Sequence, residues 1–395
     1  MYIDRNRFIA LILCSSITTD ILFNIFGYEL SLAKVLFFIF LGFVLQRGIN
    51  LRKVYTYEVA IYLPILIYIV FSALLSNSFT DRSLMISTSL FICVFLLFTG
   101  LRSGISFGDI SQAYLLTIKI SLVVSILQSI TGHFFIVDRV FMSNIIPGFY
   151  RASGFMFDPN YYSLVCLIGV ALSLMRKNKV MNLIFCLSCI VLSGSRSGLL
   201  LALIPIALFY YSSSKKINIR FIIVSLFLPF FFIFTAYIFK DYLPNTMKML
   251  FDASAYTVDA ERNSLNDRMM AITAALDAFY NNPWLGIGLG NLPYYPLNLF
   301  KQLSHNTIVE ILAEGGLVLL SIYTWFYFLL VSGLFKAQKK VSRDKSIYNS
   351  LFVAYILLFV VGLMSMTLVL YYSRILFFVF LLVLMLIREV RSEYE

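Results

Sequence analysis

Three arginines and one histidine lie in short polar segments between long apolar runs. Arg151 opens the stretch RASGFMFDPN, Arg196 is at the centre of SGSRSG, Arg268 lies in NDRMM, and His305 begins SHNTIVE. An arginine side chain presents a planar fork that matches phosphate oxygens, and its charge does not titrate away. A neutral imidazole can act as a general base. These residue types predict a site that holds an anionic group beside a general base.

Two acidic residues follow the histidine inside the next apolar run. Glu310 and Glu314 lie one turn apart on one helical face. Carboxylates inside a membrane are costly and usually face a cavity or a partner. We interpret both as supporting residues that hold the arginines in place, with a catalytic role as the alternative. Arg374, at the start of the last apolar run, is a weaker member of the cationic set.

Each candidate also has a purely structural explanation. Arg196 could anchor a lipid headgroup, and Arg268 could lie on a solvated helix face, paired with a neighbouring acid. His305 could be an ordinary hydrogen-bonded polar residue. His133, beside two phenylalanines, is typical of a residue at a membrane interface. Lys119 lies within an apolar run, and its role stays open.

The composition limits the kind of protein that carries these residues. The chain has 395 residues, of which 60% are hydrophobic and only 13% are charged. A membrane-spanning helix needs about 20 apolar residues, so the apolar content suffices for about twelve. A soluble enzyme, a small peripheral domain and a one-span receptor are excluded. The continuous apolar runs also argue against a β-barrel, whose strands alternate apolar and polar residues.

The apolar runs predict an all-α, polytopic membrane protein with about twelve spans. With both termini inside, the inner side holds 19 of the 31 Lys and Arg residues and the short outer loops hold 5. This bias favours cytoplasmic termini and places the candidate residues on the outer side. It also explains the net charge of +11 without nucleic-acid binding. The predicted spans are residues 8–26, 30–46, 58–75, 84–100, 110–131, 158–175, 180–193, 198–212, 221–239, 306–335, 348–370 and 374–387.

One connection is much longer than the others. Residues 240–305 form an outer loop between spans nine and ten, within a single membrane domain that covers residues 1–395. Ser264 to Tyr280 predicts an amphipathic helix, because Leu265, Met269, Ile272, Leu276 and Phe279 recur at helical spacing. Asn282-Pro283 ends this helix. The stretch GIGLGN that follows predicts a flexible turn.

Several short motifs do not support other chemistries. GIGLG lacks the preceding strand and the following Lys-Ser or Lys-Thr of a nucleotide loop. GSRSG has Arg196 where a nucleophile elbow needs serine. The sequence contains no H-E-x-x-H and no pair of aspartates on the outer side that suggests a divalent metal. The sequence therefore favours a reaction without metal or cofactor.

Four segments together resemble a known family. RASGFMFDPNYYS, LSGSRSGLLLAL, NDRMMAITAALDAFYNNPWLGIGLGN and SHNTIVEILAEGGL occur in the order seen in the superfamily of O-antigen ligases and Wzy-type O-antigen polymerases. The resemblance covers mainly residues 148–322. No single one of these motifs is specific to the family. The order of the four segments, together with the long outer loop, is specific.

The resemblance implies a fold of the GT-C kind and a membrane glycosyltransferase of the bacterial inner membrane. Such enzymes transfer a glycan from undecaprenyl diphosphate to a sugar hydroxyl at the periplasmic face, without metal. It also implies residue roles. Arg196 and Arg268 match family arginines that grip the diphosphate, and Arg151 matches a family-like R-x-x-G. His305 and Asn306 match the family's H-N pair, whose histidine activates the acceptor.

Three functions remain in competition. The leading hypothesis is a polymerase of lipid-linked repeat units, acting with a possible chain-length regulator protein. A ligase that attaches finished glycan to lipid A-core shares the donor. Ligases often carry a histidine or proline where this chain has Ser304, which weakly disfavours that alternative. A polysaccharide flippase is less favoured, because the chain shows no paired halves.

Overall fold

Helices make up most of the structure, a computed structural model that describes residues 4–25, 28–48, 56–75, 80–134, 139–140, 144–146, 149–213, 264–299, 301–341 and 345–394. This agrees with the expected all-α membrane fold. The helices are α1 (Arg5–Thr18), α2 (Leu32–Arg47), α3 (Thr56–Leu75), α4 (Asp81–Arg102), α5 (Phe107–Thr131), α6 (Pro159–Ser173), α7 (Lys179–Ser193), α8 (Arg196–Ser213), α9 (Ser264–Asn281), α10 (Thr307–Lys340), α11 (Lys345–Met364) and α12 (Arg374–Tyr394).

The apolar helices place the protein in a membrane. Within the described residues, four helices are long and apolar enough to cross a bilayer: Asp81–Arg102, Phe107–Thr131, Thr307–Lys340 and Ile347–Met364. Shorter apolar helices include Pro159–Ser173 and Lys179–Ser193. The predicted ninth span, residues 221–239, lies outside the described residues, and each other predicted span overlaps a helix. The number of twelve spans stays a prediction.

The structure differs from the sequence prediction at the first span. The predicted span 8–26 is a shorter helix, since α1 ends at Thr18 and Thr19 is extended (φ −128°, ψ 129°). Two reasons are the β-branched run Ile17-Thr18-Thr19, which disfavours helix, and the Thr18 Oγ1 bond back to the Cys14 carbonyl (3.0 Å). The chain then enters a β-hairpin.

The described part of the chain contains three short antiparallel hairpins that were not expected from the sequence. They pair β1 (Leu22–Ile25) with β2 (Tyr28–Ser31), β3 (His133–Phe134) with β4 (Arg139–Val140), and β5 (Asn144–Ile146) with β6 (Phe149–Tyr150). Each has only two strands, so they connect helices and add no sheet core of their own.

The end of the eleventh predicted span also differs. Residues 348–370 were expected to be helical, but α11 ends at Met364. Polar residues follow, and Thr307 at the start of α10 binds this segment. Its N–H donates to the Ser365 carbonyl (2.7 Å), and its Oγ1 donates to the Leu368 carbonyl (2.6 Å). These bonds replace the next helical turn.

The chain folds into two compact units, each assembled from separate stretches of sequence. The first comprises Met1–Phe43, Ile105–Glu261 and Asp344–Val360, and the second Val44–Gly104, Arg262–Arg343 and Val361–Glu395. In the first unit α6 packs against α5, α7 and α8, and α1 packs against α5. Lys119 of α5 lies over the ring of Phe185 of α7, 5.5 Å from its centroid. In the second unit α10 packs against α3, α9 and α12, and α4 packs against α12.

Candidate active site

In the first unit, a buried glutamine fixes the turn that carries Arg151. Gln128 of α5 accepts hydrogen bonds at Oε1 from the amides of Ser153 (3.1 Å) and Gly154 (2.9 Å). Its Nε2 donates to the Gly154 carbonyl (2.8 Å). Because an amide side chain satisfies three backbone groups at once, this turn is anchored from α5. Gln128 was not among the residues predicted from the sequence, although a glutamine inside an apolar run is a signal for such a role.

Arg151 itself links two helix ends. Its Nε donates to the carbonyl of Ser193, the last residue of α7 (3.0 Å), and its Nη2 donates to Asn160 Oδ1 in the first turn of α6 (3.3 Å). The residue as a whole is half-buried. A cation at a helix C-terminus stabilises the unpaired carbonyls there. Arg151 therefore organises the ends of α6 and α7, and its contact with substrate stays a prediction.

Arg196 has a different environment, because it is exposed at the first position of α8. The buried Ser195 precedes it and accepts the Gly198 amide at its Oγ (3.3 Å). A Cβ on Gly198 would lie 2.7 Å from the Ser163 Cβ, so α6 and α8 approach closely near their N-terminal ends. Helix N-termini attract anions. An exposed arginine at this end is suited to bind an anionic group.

In the second unit, His305 lies in a turn whose two neighbouring residues, Ser304 and Asn306, are both hydrogen-bonded to the first turns of α10. The backbone of His305 is left-handed (φ 52°), a conformation that costs free energy for a residue with a Cβ. Glu310 Oε2 accepts both the N–H (2.8 Å) and the Oγ–H (2.5 Å) of Ser304. Asn306 caps α10, since its Oδ1 accepts the amides of Ile308 and Val309. These bonds hold the histidine in its strained conformation.

The long helix α10 is interrupted a few residues further on. Gly316 has non-helical dihedrals (φ 61°, ψ −161°) that are accessible essentially only to glycine. The break is filled by residues 283–288. The Leu317 and Val318 amides donate to the carbonyls of Pro283 (2.8 Å) and Trp284 (3.1 Å), and the Ile287 amide donates to the Ala313 carbonyl (2.9 Å). The predicted span 306–335 is therefore two helical pieces with a loop bound between them.

The carboxylate of Glu314 binds residues 290–292, the stretch of chain just after the residues that fill the break. Its Oε2 accepts the Gly290 amide (2.8 Å) and the Tyr371 hydroxyl, and its Oε1 accepts the Leu292 amide (3.2 Å). Asn291 Oδ1 accepts the Ser83 hydroxyl of α4 (3.0 Å). The expectation of a flexible GIGLGN turn is therefore wrong. A fully buried carboxylate needs several donors, and the backbone of this loop supplies them.

Replacing Gly316 by alanine should destabilise the protein. A Cβ there would lie 2.3 Å from the Trp284 carbonyl oxygen, in addition to the backbone strain. We expect a loss of about 1–3 kcal/mol from the backbone strain and a further loss from the clash, measured as a lower Tm of the detergent-solubilised protein. Gly362→Ala is the matched control, because nothing lies within 4 Å of a Cβ on Gly362. Equal Tm values for the two variants would contradict the account of the break.

Arg82, in the first turn of α4, was counted from the sequence only as an outer-loop cation. Its Cγ would lie 3.1 Å from a Cβ on Gly290, whose amide binds Glu314, and its positive charge interacts with both Glu310 and Glu314. Within the described residues, its Nε and Glu310 Oε1 are buried without a hydrogen-bond partner. Arg82 is thus a cation near the two carboxylates, and the expectation that they hold the arginines of the site in place stays a prediction. The sequence feature that could have drawn attention to Arg82 is its position in the first turn of α4, just after the N-cap Thr80.

Arg268 and Arg374 lie in the second unit as well. Arg268 is exposed on α9, and Arg374 is the half-buried first residue of α12. The face of α9 that packs on α10 consists of alanines and not of the predicted stripe. Ala275 and Ala278 are buried against Ala313, whereas Met269 and Leu276 are exposed. The predicted helix is present, and its small alanine side chains allow the close contact with α10.

The structure thus groups the candidate residues in two sets. Arg151 and Arg196 lie near the ends of α6, α7 and α8 in the first unit. The second unit brings together the His305 turn, Glu310, Glu314 and Arg82. It also carries Arg268 on α9 and Arg374 on α12.

The fold defines a helical membrane protein, and comparison with known families narrows its class. Residues 181–324 match the family described as O-Antigen ligase. The match covers about a third of the chain and includes Arg196, Arg268, His305, Glu310 and Glu314. It supports the resemblance to the O-antigen ligase and polymerase superfamily and a glycosyltransferase-like activity. No curated protein matches the chain.

Proposed function

We propose that the protein is a polymerase of undecaprenyl-diphosphate-linked oligosaccharide repeat units, such as those of O-antigen or another surface polysaccharide. The observation that carries this proposal is the His305 turn, which lies within the matched segment and is held in a strained backbone conformation by Glu310. Strained residues held by their surroundings are often found at active sites.

The reaction follows from the proposed roles of three residues. The acceptor sugar hydroxyl attacks the anomeric carbon of the donor glycan, and His305 takes the hydroxyl proton. The bond from the anomeric carbon to the diphosphate oxygen breaks, with inversion at this carbon. Arg196 and Arg268 stabilise the charge that develops on the departing diphosphate. The products are the lengthened glycan and undecaprenyl diphosphate.

Arginines supply the stabilisation of the leaving group, so the proposed reaction proceeds without metal or cofactor. The diphosphate linkage supplies the driving force, so no nucleotide is needed. Arg374 and Asn306 are proposed as further substrate contacts. For Asn306 the contact would come from the part of the amide that does not cap α10. A chain-length regulator is a proposed partner.

The proposed site lies on the periplasmic side of the bacterial inner membrane. The charge bias of 19 against 5 Lys and Arg residues supports cytoplasmic termini. His305, at the N-terminal end of α10, is then periplasmic, because the Lys336, Lys339 and Lys340 end of the same helix is cytoplasmic.

A ligase is the second candidate function. The matched family is described by its ligase members, which favours this alternative. Ser304 argues in the other direction, since it stands where ligases often carry histidine or proline. In this chain the Ser304 hydroxyl donates to Glu310, a bond that proline could not make.

Glu310→Ala should lower glycan transfer about 100-fold, because a displaced catalytic group costs about this much. The substitution removes both bonds to Ser304 and releases the His305 turn. Glu310→Gln keeps an acceptor oxygen and should retain most of the activity. The rates are measured with purified protein at equal concentration. If the glutamine variant loses as much as the alanine variant, the negative charge is what matters, and the positioning role is refuted.

The polymerase and ligase hypotheses are separated by a gel of surface polysaccharide from a strain that lacks the gene. A single repeat unit on lipid A-core without a ladder indicates a polymerase, because ligation still occurs. Loss of all capping, with lipid-linked polymer accumulating, indicates a ligase. An unchanged profile would contradict both functions.

A further inference from the structure

The length of α10 indicates where the edge of the membrane lies. The C-terminal piece of α10, residues 317–340, is about 36 Å long at 1.5 Å per residue, whereas the hydrocarbon core is about 30 Å thick. Lys336 is the first cation at its C-terminal end. About twenty residues before it lies Gly316, where the helix is interrupted. The exposed side chains between them are mostly large and apolar, namely Leu317, Val318, Trp325, Phe328, Val331 and Phe335.

Trp284 lies at the same level as this edge. The Trp284 carbonyl accepts the Val318 amide (3.1 Å), and the Pro283 carbonyl accepts the Leu317 amide (2.8 Å). The Trp284 side chain is 68% exposed, and Leu285 beside it is also exposed. Tryptophan is enriched at the membrane–water interface. The bonds to α10 therefore place an exposed tryptophan where the hydrocarbon core should end.

Helix α9, just before Trp284, is apolar on two sides. Its alanine face packs on α10. On the opposite side, Met269, Leu276 and Tyr280 are exposed, Tyr280 by 87% and Met269 by 61%. A helix that is apolar on both sides is usually covered on both. The surface formed by Met269, Leu276, Tyr280 and Trp284 is called the α9 stripe below.

We propose that α9 lies in the lipid–water interface at the Gly316 end of α10, with the α9 stripe against lipid. Lipid is the occupant because the stripe continues, through Trp284, into the apolar exposed surface of α10. The tyrosine and the tryptophan provide the amphipathic rings that interfaces favour. If the proposed function is correct, Arg268 on α9 lies in the headgroup layer, at the level of a lipid-linked diphosphate.

The chain contains only two tryptophans, Trp284 and Trp325, which makes the test direct. Trp325→Phe leaves Trp284 as the single fluorophore, and Trp284→Phe leaves Trp325. Trp325 is exposed on α10, nine residues beyond Gly316, or about 13 Å, which places it near the centre of the bilayer. Both variants are reconstituted in phosphatidylcholine vesicles that carry bromine either near the carboxyl end or near the methyl end of the acyl chains.

For Trp284, the ratio of quenching by shallow bromine to quenching by deep bromine should exceed one, and for Trp325 it should be below one. Quenching of Trp284 by aqueous acrylamide but by neither lipid would show that the segment stands in water. Quenching by none of the three would show that protein, such as a second copy, covers the stripe. Stronger deep quenching would show a segment that enters the bilayer. Each of these three results overturns the proposal. The measurement needs no substrate, so its failure is distinct from failure of the proposed function.

Discussion

His305→Ala should abolish long-chain product while the protein accumulates normally in the membrane. A general base contributes about 10²–10⁴-fold to a rate, and a polymer of many units magnifies even a moderate loss per step. The variant strain should show single-unit capping without a ladder on a gel of surface polysaccharide. The purified variant should bind donor but transfer it about 100-fold more slowly or worse.

His133 provides the matched control, because the chain has two histidines. His133 is exposed at the start of β3, next to the C-terminus of α5, and His133→Ala should leave the ladder unchanged. A full ladder from the His305 variant would remove this residue from the proposed mechanism, whatever the function.

Arg196→Ala should also eliminate the ladder, and Arg196→Lys should rescue little of it. Removing one group that stabilises charge in a transition state costs about 10²–10³-fold. Lysine keeps the charge but lacks the planar fork that matches two phosphate oxygens. The loss should appear in the rate of transfer by purified protein, measured at saturating donor.

Arg7→Lys is the control for exchanging an exposed arginine. Within the described residues, Arg7 makes a surface ion pair with Asp109, at 3.7 Å, and such pairs contribute little. Its exchange should not change the rate. If Arg196→Lys is as active as the unchanged protein, Arg196 acts as a simple charge, such as a headgroup anchor, and the bidentate grip on the diphosphate is refuted.

Hydropathy and capping residues were sufficient to locate most helices. Asp158-Pro159 marks the start of α6, where Asp158 caps the helix and proline takes the first position. Asn306 does the same for α10. The interruption at Gly316 was not predictable, because a Gly-Gly pair inside an apolar run also fits a continuous helix. What breaks the helix is pairing with residues 283–288, which are about thirty positions away in sequence.

The partners of the two glutamates were hidden for the same reason. The spacing of Glu310 and Glu314 correctly predicted that they share one helical face. It did not predict which residues hydrogen-bond to that face. Glu314 binds Gly290, Leu292 and Tyr371, and Glu310 binds Ser304 through one of its two carboxylate oxygens. On α9, the apolar periodicity predicted an amphipathic helix, but not that its alanines would form the face packed on α10. The sequence shows which residues are apolar, but whether lipid or protein covers them depends on the tertiary packing.

The central claim is transfer of a glycan from a lipid diphosphate, and one measurement tests it most directly. Purified protein in lipid vesicles is given a single undecaprenyl-diphosphate-linked repeat unit in the presence of EDTA. The account predicts lipid-linked glycans of two or more units, with one undecaprenyl diphosphate released for each unit added. Unchanged donor would contradict the account, provided that the donor is the strain's own repeat unit. Product that forms only after a divalent metal is restored would contradict the role given to the arginines.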